Sequence, residues 1–256
     1  NLCSGCVSRT PACLQMCPFK ALSVAGSNTE TALETVTLPH APEVIDVPPA
    51  DSFRRPPRLS LAIRGVGGQG NLFFGKVLAQ VAFLAGYDDR NILKGETHGM
   101  AQMGGPVIST FGCGEVFSPA LVPGTANVLI AMEKAEVLRP GFLDLLEPGG
   151  TVLMADTRIL PHGLKPEAYP SDEAIAAQLE GYRVVSVDVL SIALNLGDPK
   201  GRCANVAMLG VLSTLPPFDV VPEAVWLQAL RGISRKPALW DLNHAAFMAG
   251  RGMQKG

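Results

Sequence analysis

The sequence has 256 residues, of which 47% are hydrophobic and 17% charged, enough for one large domain or two smaller ones. Its formal net charge of −2 leaves no basic surface of the kind that binds nucleic acid. It has no apolar run near the ~20 residues of a membrane-spanning helix, which argues against a membrane protein. It also lacks the basic and then apolar start of a secretory signal, so a cytoplasmic protein is predicted.

The first 26 residues contain four of the six cysteines, at a spacing typical of a metal site. The pattern is Cys3-x2-Cys6-x6-Cys13-x3-Cys17, and Pro18 follows the last cysteine. Four thiols this close together in a cytoplasmic chain favour metal binding over disulfides. Zinc accepts four thiolates in tetrahedral geometry, whereas an iron–sulfur cube takes three closely spaced cysteines and a fourth that precedes proline.

The Cys-x3-Cys-Pro end resembles the second half of a bacterial ferredoxin motif. It predicts that Cys3, Cys6, Cys13 and Cys17 hold a 4Fe-4S cluster, with zinc as the alternative. The spacing departs from ferredoxin, which has two residues between its second and third cysteines where this chain has six. Cys17 either closes this cube or ligates another whose motif precedes Asn1. Because the motif begins immediately after Asn1, we expect the chain to be a segment of a longer polypeptide.

Beyond this ferredoxin-like segment (1–26), composition separates two further regions. Residues 27–58 are rich in Thr, Pro and Glu without helical periodicity, which predicts an extended linker lying along a surface. From 59 to 256, short apolar runs alternate with amphipathic stretches, which predicts an α/β domain with a doubly wound, mostly parallel sheet. The predicted strands are Leu59–Ile63, Pro106–Phe111, Val128–Ala131, Thr151–Met154 and Tyr182–Val187. The predicted helices are Asn71–Leu84, Lys134–Leu138, Phe142–Leu146, Asp172–Leu179, Asn205–Leu215, Pro222–Leu230 and Leu242–Met248.

A glycine-rich turn joins the first of these strands to the first helix. It reads Gly65-Val66-Gly67-Gly68-Gln69-Gly70 and satisfies the G-x-G-x-x-G pattern in the required strand–helix context. Glycines let backbone amides face outward, and the amino end of a helix favours an anionic group. We therefore predict that Gly65, Gly67, Gly68, Gln69 and Gly70 form a cofactor-binding turn.

The pattern alone suggests a dinucleotide site, which needs an acidic residue about 20 residues later at the end of a second strand. Asp88 and Asp89 stand at about that distance. They directly follow the predicted end of the helix, with no apolar strand before them. The sequence therefore disfavours NAD binding.

A second motif follows, Glu96-Thr97-His98-Gly99-Met100-Ala101-Gln102-Met103-Gly104-Gly105. Glu96, His98 and Gln102 supply an acid, a titratable base and an amide, and the glycines permit close approach of a ligand or another backbone. We predict that these three residues help to form a cofactor site at an interface with a partner. The alternative is that Glu96 and His98 pair with each other and merely fix the loop.

Together the two motifs resemble the gamma domain of the pyruvate, 2-oxoglutarate and indolepyruvate:ferredoxin oxidoreductases. In that family a glycine turn is followed by E-x-H-G-M-A-Q-x-G-G, and the likeness is greatest to the small subunit of the indolepyruvate enzymes and its fused relatives. It extends over about 59–256. It implies a Rossmann-like gamma domain that supports a thiamine-bearing component, with CoA as co-substrate and ferredoxin as electron acceptor.

The resemblance also implies where thiamine diphosphate and Mg are bound. The thiamine components of this family hold them with a Gly-Asp-Gly start, to which Gly197-Asp198-Pro199 is the nearest stretch here. We therefore expect them on a partner chain or on a part fused upstream. The predicted function is a component, inactive alone, of an enzyme that oxidatively decarboxylates a 2-oxoacid, by family likeness an arylpyruvate such as indolepyruvate. An NAD(P)-dependent oxidoreductase with a fused ferredoxin segment and a non-catalytic zinc-binding assembly factor are the alternatives.

Overall fold

The computed structural model describes residues 36–96, 105–160, 165–234 and 236–253. Within these ranges, six strands form one sheet in the order β2-β3-β1-β4-β5-β6. The strands are β1 (Arg58–Val66), β2 (Ile92–Glu96), β3 (Pro106–Gly114), β4 (Ala126–Ala131), β5 (Leu146–Ala155) and β6 (Arg183–Val187). Strands β1, β4, β5 and β6 are parallel neighbours, whereas β3 is antiparallel to both β1 and β2. All strands except β3 therefore run in one direction, which confirms the predicted mostly parallel sheet.

Most of the predicted helices are present, but two of them are 3-10 helices. The α-helices are α1 (Asn71–Leu84), α2 (Asp172–Gln178), α3 (Val189–Asn195), α4 (Ala204–Leu212), α5 (Glu223–Ile233) and α6 (Pro237–Gly252). Short 3-10 helices span Asp89–Asn91, Lys134–Leu138, Leu143–Leu145, Pro166–Ala168 and Phe218–Val220. The segments after β4 are too short to repay α-helix nucleation, so they form the tighter 3-10 turn. Over the part of the chain described, no helix combines the length and apolarity needed to cross a membrane.

The two faces of the sheet are covered unequally. Leu61 and Ile63 of β1 belong to the main core, which lies against α1, α4, α5 and α6, whereas Ala62 points to the other face. Trp226 of α5 is fully buried in the main core, with ring centroids 6.4 Å from Phe218 and 6.3 Å from Phe247. On the opposite face, α2 and the 3-10 helices after β4 cover smaller clusters. Helical segments on both faces confirm the doubly wound arrangement.

No strand separates the helix Asn71–Leu84 from Asp88 and Asp89, as predicted, but a strand that the sequence did not predict, β2, begins just after them. Residues 92–96 include only two large apolar side chains, so the sequence pattern gives a weak strand signal. The segment nevertheless pairs with β3, where Ile92 lies opposite Cys113 and Glu96 opposite Ser109. Tertiary pairing therefore decides that this segment is a strand.

Strand β1 is longer than predicted and contains the first residues of the glycine motif. It pairs with β3 along its whole length, with Gly65 opposite Val107 and Val66 opposite Pro106. The turn itself is thus confined to residues 67–70. In the same way, β5 begins before the predicted strand Thr151–Met154, and its pairing with β4 is irregular there.

Residues 36–57 contain no helix or strand and lie along the main helical layer. Ala41 donates its amide to Asp241 Oδ1 at 2.8 Å, and the Trp240 indole donates to the Pro42 carbonyl at 3.1 Å. Nearer β1, the Tyr87 hydroxyl donates to the carbonyl of Pro56 at 2.8 Å. These contacts lead the chain along α6 to the start of the central strand.

Candidate ligand-binding site

The carboxyl ends of β1, β4, β5 and β6 meet at one edge of the sheet, which we call the carboxyl edge. After β1 the chain enters α1 on one face of the sheet, and after β4 it enters the 3-10 helix 134–138 on the opposite face. Because the two connections diverge, a crevice lies between the ends of β1 and β4. A cavity of about 350 Å³ occupies this crevice. Its lining consists of Gly68, Gln69, Gly70, Met132, Thr157, Val189, Leu190, Lys200, Gly201, Arg202, Ala204 and Asn205.

The glycine turn forms one wall of the cavity. Gly68 and Gly70 have φ angles of 100° and 86°, in the left-handed region that side chains rarely adopt. A Cβ on Gly70 would lie 2.2 Å from Asn205 Nδ2, so the Asn205 side chain would have to move to admit any other residue. Gly70 caps α1, whose first amides have no intrahelical acceptor and carry the positive end of the helix dipole. The turn can therefore bind an anionic group.

Gln69 lies in the turn, but its carboxamide is engaged by the protein backbone. Oε1 accepts from the Val66 amide at 2.7 Å, and Nε2 donates to the Met132 carbonyl at 2.6 Å. The side chain therefore joins the ends of β1 and β4.

A loop between α3 and α4 places two cations on the opposite wall. Lys200 and Arg202 are exposed and line the cavity, and they are the charged residues among its lining. The loop is fastened by Asp198, which is 2% exposed and accepts from the Cys203 amide at 2.8 Å. Arg202 Nε lies 3.7 Å from Asp198 Oδ1. Burial raises the pKa of the Cys203 thiol to about 12, so this cysteine stays protonated.

Asn205 lies in the first turn of α4, next to the glycine turn, and is 8% exposed. Its Oδ1 is buried and has no hydrogen-bond partner among the described residues. Buried amide oxygens are nearly always paired, because leaving one unpaired costs about 1–3 kcal/mol. An unpaired acceptor on a cavity wall is therefore a candidate ligand contact.

Two buried carboxyl groups lie in the segment that follows Met132, a residue of the cavity lining. Glu133 is 2% exposed, accepts a short hydrogen bond from the Tyr169 hydroxyl and lies 3.3 Å from the Ile159 amide. Burial raises the pKa of the Glu133 carboxyl. The neighbouring Glu136 is 3% exposed and accepts from Arg139 Nε and Nη2 at 3.0 and 2.9 Å. This polar layer fixes the segment that follows β4.

The structure brings the two sequence motifs together. Gly67 donates its amide to the Gly105 carbonyl at 2.9 Å, so the end of the second motif is joined to the glycine turn. Glu96 ends β2, and its carboxylate lies 3.2 Å from Lys94 Nζ. His98 and Gln102 lie outside the described residues, so the predicted role of the loop between β2 and β3 stays a prediction.

The geometry adds a reason against a dinucleotide site. Asp88 precedes β2, which runs parallel to β1, and therefore lies at the opposite edge of the sheet from the glycine turn. Its carboxylate is paired with Arg90 at 2.6 Å, and hydrogen bonds from Arg90 hold the pKa of Asp88 well below its usual range. It cannot reach a ribose bound at the carboxyl edge.

The predicted metal ligands Cys3, Cys6, Cys13 and Cys17 lie outside the described residues, so their cluster stays a prediction. Among the residues that are described, no group of three or more His, Cys, Asp or Glu could hold a metal ion.

Sequence reasoning missed the wall formed by Lys200, Arg202 and Asn205. The segment before α4 reads Gly197-Asp198-Pro199-Lys200-Gly201-Arg202, a turn-rich polar loop that leads into an apolar helix. Such a loop at the amino end of a helix is a weak signal of an anion site. Because this loop is far from the glycine turn in sequence, the sequence did not show that the loop and the turn line one cavity.

Known proteins are similar to this chain in sequence and in fold. The model of the family described as pyruvate ferredoxin/flavodoxin oxidoreductase matches residues 60–253. The indolepyruvate oxidoreductase subunit IorB of Thermococcus kodakarensis is 33% identical over 197 residues, which cover 75% of this chain and 93% of that subunit. The corresponding subunit of Archaeoglobus fulgidus is 35% identical over 159 residues, or 60% of this chain and 76% of the relative.

Solved structures agree at the level of the fold. The pyruvate oxidoreductase subunit PORC of Thermotoga maritima matches 77% of this chain and 97% of its own, with a TM-score of 0.55 and 20% identity. A 2-oxoglutarate:ferredoxin oxidoreductase from Magnetococcus marinus, with 2-oxoglutarate, coenzyme A and succinyl-CoA bound, matches 78% of this chain and 32% of its own, with a TM-score of 0.58 and 20% identity. The chain therefore belongs to the pyruvate ferredoxin/flavodoxin oxidoreductase family.

Proposed function

We propose that this chain is the gamma-type component of a thiamine-diphosphate-dependent 2-oxoacid:ferredoxin oxidoreductase that acts on an arylpyruvate such as indolepyruvate, in the cytoplasm. The substrate class is supported by identities of 33–35% to two indolepyruvate oxidoreductase subunits. A ketoisovalerate oxidoreductase subunit is also 31% identical over 214 residues, so a branched 2-oxoacid is the competing substrate.

The overall reaction converts a 2-oxoacid and CoA–SH into the acyl-CoA thioester, CO₂, one proton and two electrons. Thiamine diphosphate and Mg on the partner component supply the decarboxylation chemistry. Iron–sulfur clusters, one of them held by Cys3, Cys6, Cys13 and Cys17, carry the electrons to ferredoxin. This chain's contribution is to bind, orient and exclude water rather than to act alone.

The observation that carries the proposal is the cavity at the carboxyl edge, where the glycine turn faces Lys200 and Arg202. Backbone amides at the start of α1 and two cations suit the phosphates of CoA, whereas the apolar Met132 and Leu190 suit its uncharged parts. A cavity of about 350 Å³ accommodates only part of a CoA molecule. We therefore assign this cavity to the phosphate-bearing end of CoA, with the thiol directed towards the partner's thiamine.

The test is activity of the complex reassembled from this chain and its thiamine-bearing partner. We expect 2-oxoacid-dependent, CoA-dependent reduction of ferredoxin by the complex, and none by this chain alone. Arylpyruvates should give a higher kcat/KM than branched 2-oxoacids. Tight NADH binding by this chain with no gain from a thiamine partner would overturn the proposal.

The cluster is tested separately on the anaerobically purified full chain. We expect a brown protein that absorbs near ~400 nm and contains iron and sulfide in equal amounts, as a cubane requires. Replacement of Cys13 by Ala should remove the colour. A colourless protein with one zinc per chain would favour the zinc alternative.

A further inference from the structure

The end of the β1–β4 ladder contains a side-chain amide where a backbone hydrogen bond is expected. Arg64 lies opposite Ala131, and Met132 donates its amide to the Arg64 carbonyl at 2.8 Å. In a parallel ladder, the next hydrogen bond would run from the Val66 amide to the Met132 carbonyl. Both groups instead bind the Gln69 carboxamide, which accepts from Val66 at 2.7 Å and donates to Met132 at 2.6 Å.

One backbone hydrogen bond between β1 and β4 is thus replaced by two hydrogen bonds with a carboxamide between them. The replacement falls at the crevice, since Gln69 and Met132 both line the cavity. The backbone amide of Gln69 also donates to the Val66 carbonyl at 3.1 Å, so Gln69 binds both backbone polar groups of Val66.

Gly65 is explained by the same insertion. A Cβ on Gly65 would lie 2.8 Å from Gln69 Oε1 and 3.0 Å from Met132 Cβ. Its backbone lies in β1, and its φ angle is not among the left-handed ones. The first glycine of the motif therefore makes room for the Gln69 carboxamide rather than for a ligand.

We propose that Gln69 is a positioning residue: its carboxamide completes the β1–β4 ladder and thereby sets the Gly68–Gly70 turn against its ligand. The ladder part of this inference stands on geometry alone, whereas its effect on CoA rests on the proposed function. The carboxamide is suited to the position because it offers one donor and one acceptor at its tip.

Gln69→Glu tests the bridge through pH. A protonated carboxyl has the donor and the acceptor that the bridge needs, but a carboxylate can only accept and leaves the Met132 carbonyl facing a negative oxygen. The folded protein should therefore raise the pKa of the new carboxyl above the unfolded value of about 4.3. Stability is then retained at low pH and lost as pH rises through the folded-state pKa.

We expect the Gln69→Glu chain to melt within ~2 °C of wild type at pH 4 and about 4–8 °C below it at pH 8. Gln69→Leu should be destabilised at both pH values, because it lacks both polar atoms. Gln178→Glu, at the exposed end of α2, is the matched control and should show no such pH-dependent loss. Equal melting of Gln69→Glu and wild type at pH 8 would overturn the bridge.

The effect on the ligand is measured in the reassembled complex. The KM for CoA of Gln69→Glu should rise about 10-fold between pH 5.5 and pH 8 relative to wild type, with the KM for the 2-oxoacid unchanged. A pH-dependent loss of stability without a change in the KM for CoA would overturn the positioning role while leaving the bridge intact. Wild-type activity that does not depend on CoA would refute the proposed function instead, and the melting experiment would still decide the bridge.

Discussion

Two buried asparagines at opposite edges of the sheet are in opposite states. Asn127, which is 6% exposed, accepts from the Ser60 amide at 2.7 Å and donates to Glu147 at 2.6 Å. Asn205, which is 8% exposed, has an Oδ1 without a partner among the described residues. Both residues are asparagines, and they are buried to nearly the same extent. What differs is whether the protein itself satisfies the polar group, and this difference supports our proposal that a ligand binds at the carboxyl edge.

Charge separates the two edges in the same way. The amino edge of the sheet, where β1 and β4 begin, carries a shallow depression of about 440 Å³ whose lining includes Arg58, Glu115 and Glu147. There Arg58 is paired with Glu147 at 2.8 Å. The lining of the carboxyl-edge cavity carries Lys200 and Arg202 and no acid. The larger depression is therefore the poorer anion site, since the arginine in its lining is already paired with Glu147 and the net charge of its lining is negative.

The largest expected effect comes from Gly70→Ala, with Gly149→Ala as its control at the amino edge. Both glycines have φ near 80–86°, so both substitutions incur backbone strain of about 1–2 kcal/mol. Only at Gly70 does a Cβ meet Asn205, whereas at Gly149 no described atom lies within 4 Å. We expect the KM for CoA to rise more than ~100-fold for Gly70→Ala and to stay unchanged for Gly149→Ala. Steady-state kinetics of the complex measure both, and equal effects would remove the distinction between the edges.

Removal of the cations should have the next largest effect. We expect Lys200→Gln combined with Arg202→Gln to raise the KM for CoA about 10–30-fold at low salt, since charge-assisted contacts are lost. The difference from wild type should shrink as salt is added. Arg58→Gln removes a cation from the amino edge and should lower stability by less than ~1 kcal/mol without changing the KM. A salt-independent effect of the double variant would argue against phosphate binding.

The two asparagines should respond in opposite ways to leucine. Asn127→Leu leaves the Ser60 amide unpaired and should lower the free energy of unfolding by about 2–3 kcal/mol with unchanged KM for CoA. Asn205→Leu removes an unpaired acceptor, so we expect a stability change under ~1 kcal/mol and a KM for CoA about 5-fold higher. Urea unfolding and kinetics on the same preparations check both. Destabilisation of both variants to the same extent would show that Asn205 is structural.

The smallest effect concerns Glu133 at the carboxyl edge. Its raised pKa means that the folded state favours the protonated carboxyl, so its contribution to stability falls as pH rises through the folded-state pKa. Glu133→Gln imitates the protonated form. It should match wild type at pH 4 and melt about 2–4 °C higher at pH 8, a change of about 1 kcal/mol in a chain of this size. Calorimetry across this range checks it, and a lower melting temperature at pH 8 would contradict it.

The sequence predicted those elements whose pattern is local. The helix Asn71–Leu84 has the bounds that its periodicity predicts, and the strand at Val128–Ala131 is extended by only two residues at its start. The strand Ile92–Glu96 was missed, because its pairing with β3, and not its own composition, makes it a strand. The reversed direction of β3 was likewise not readable, since strand direction depends on the path of the chain rather than on side-chain alternation.

At the site, the sequence by itself determined the glycine turn and its family. Glycines at left-handed positions and a helix that begins after them are local properties of adjacent residues. Only the tertiary structure decided the rest. It placed Lys200, Arg202 and Asn205 against a turn some 130 residues earlier in the chain. It also showed that Gln69, predicted as a ligand contact, links two strands. Those roles depend on which strand ends meet at one edge, and no local pattern of residues contains that information.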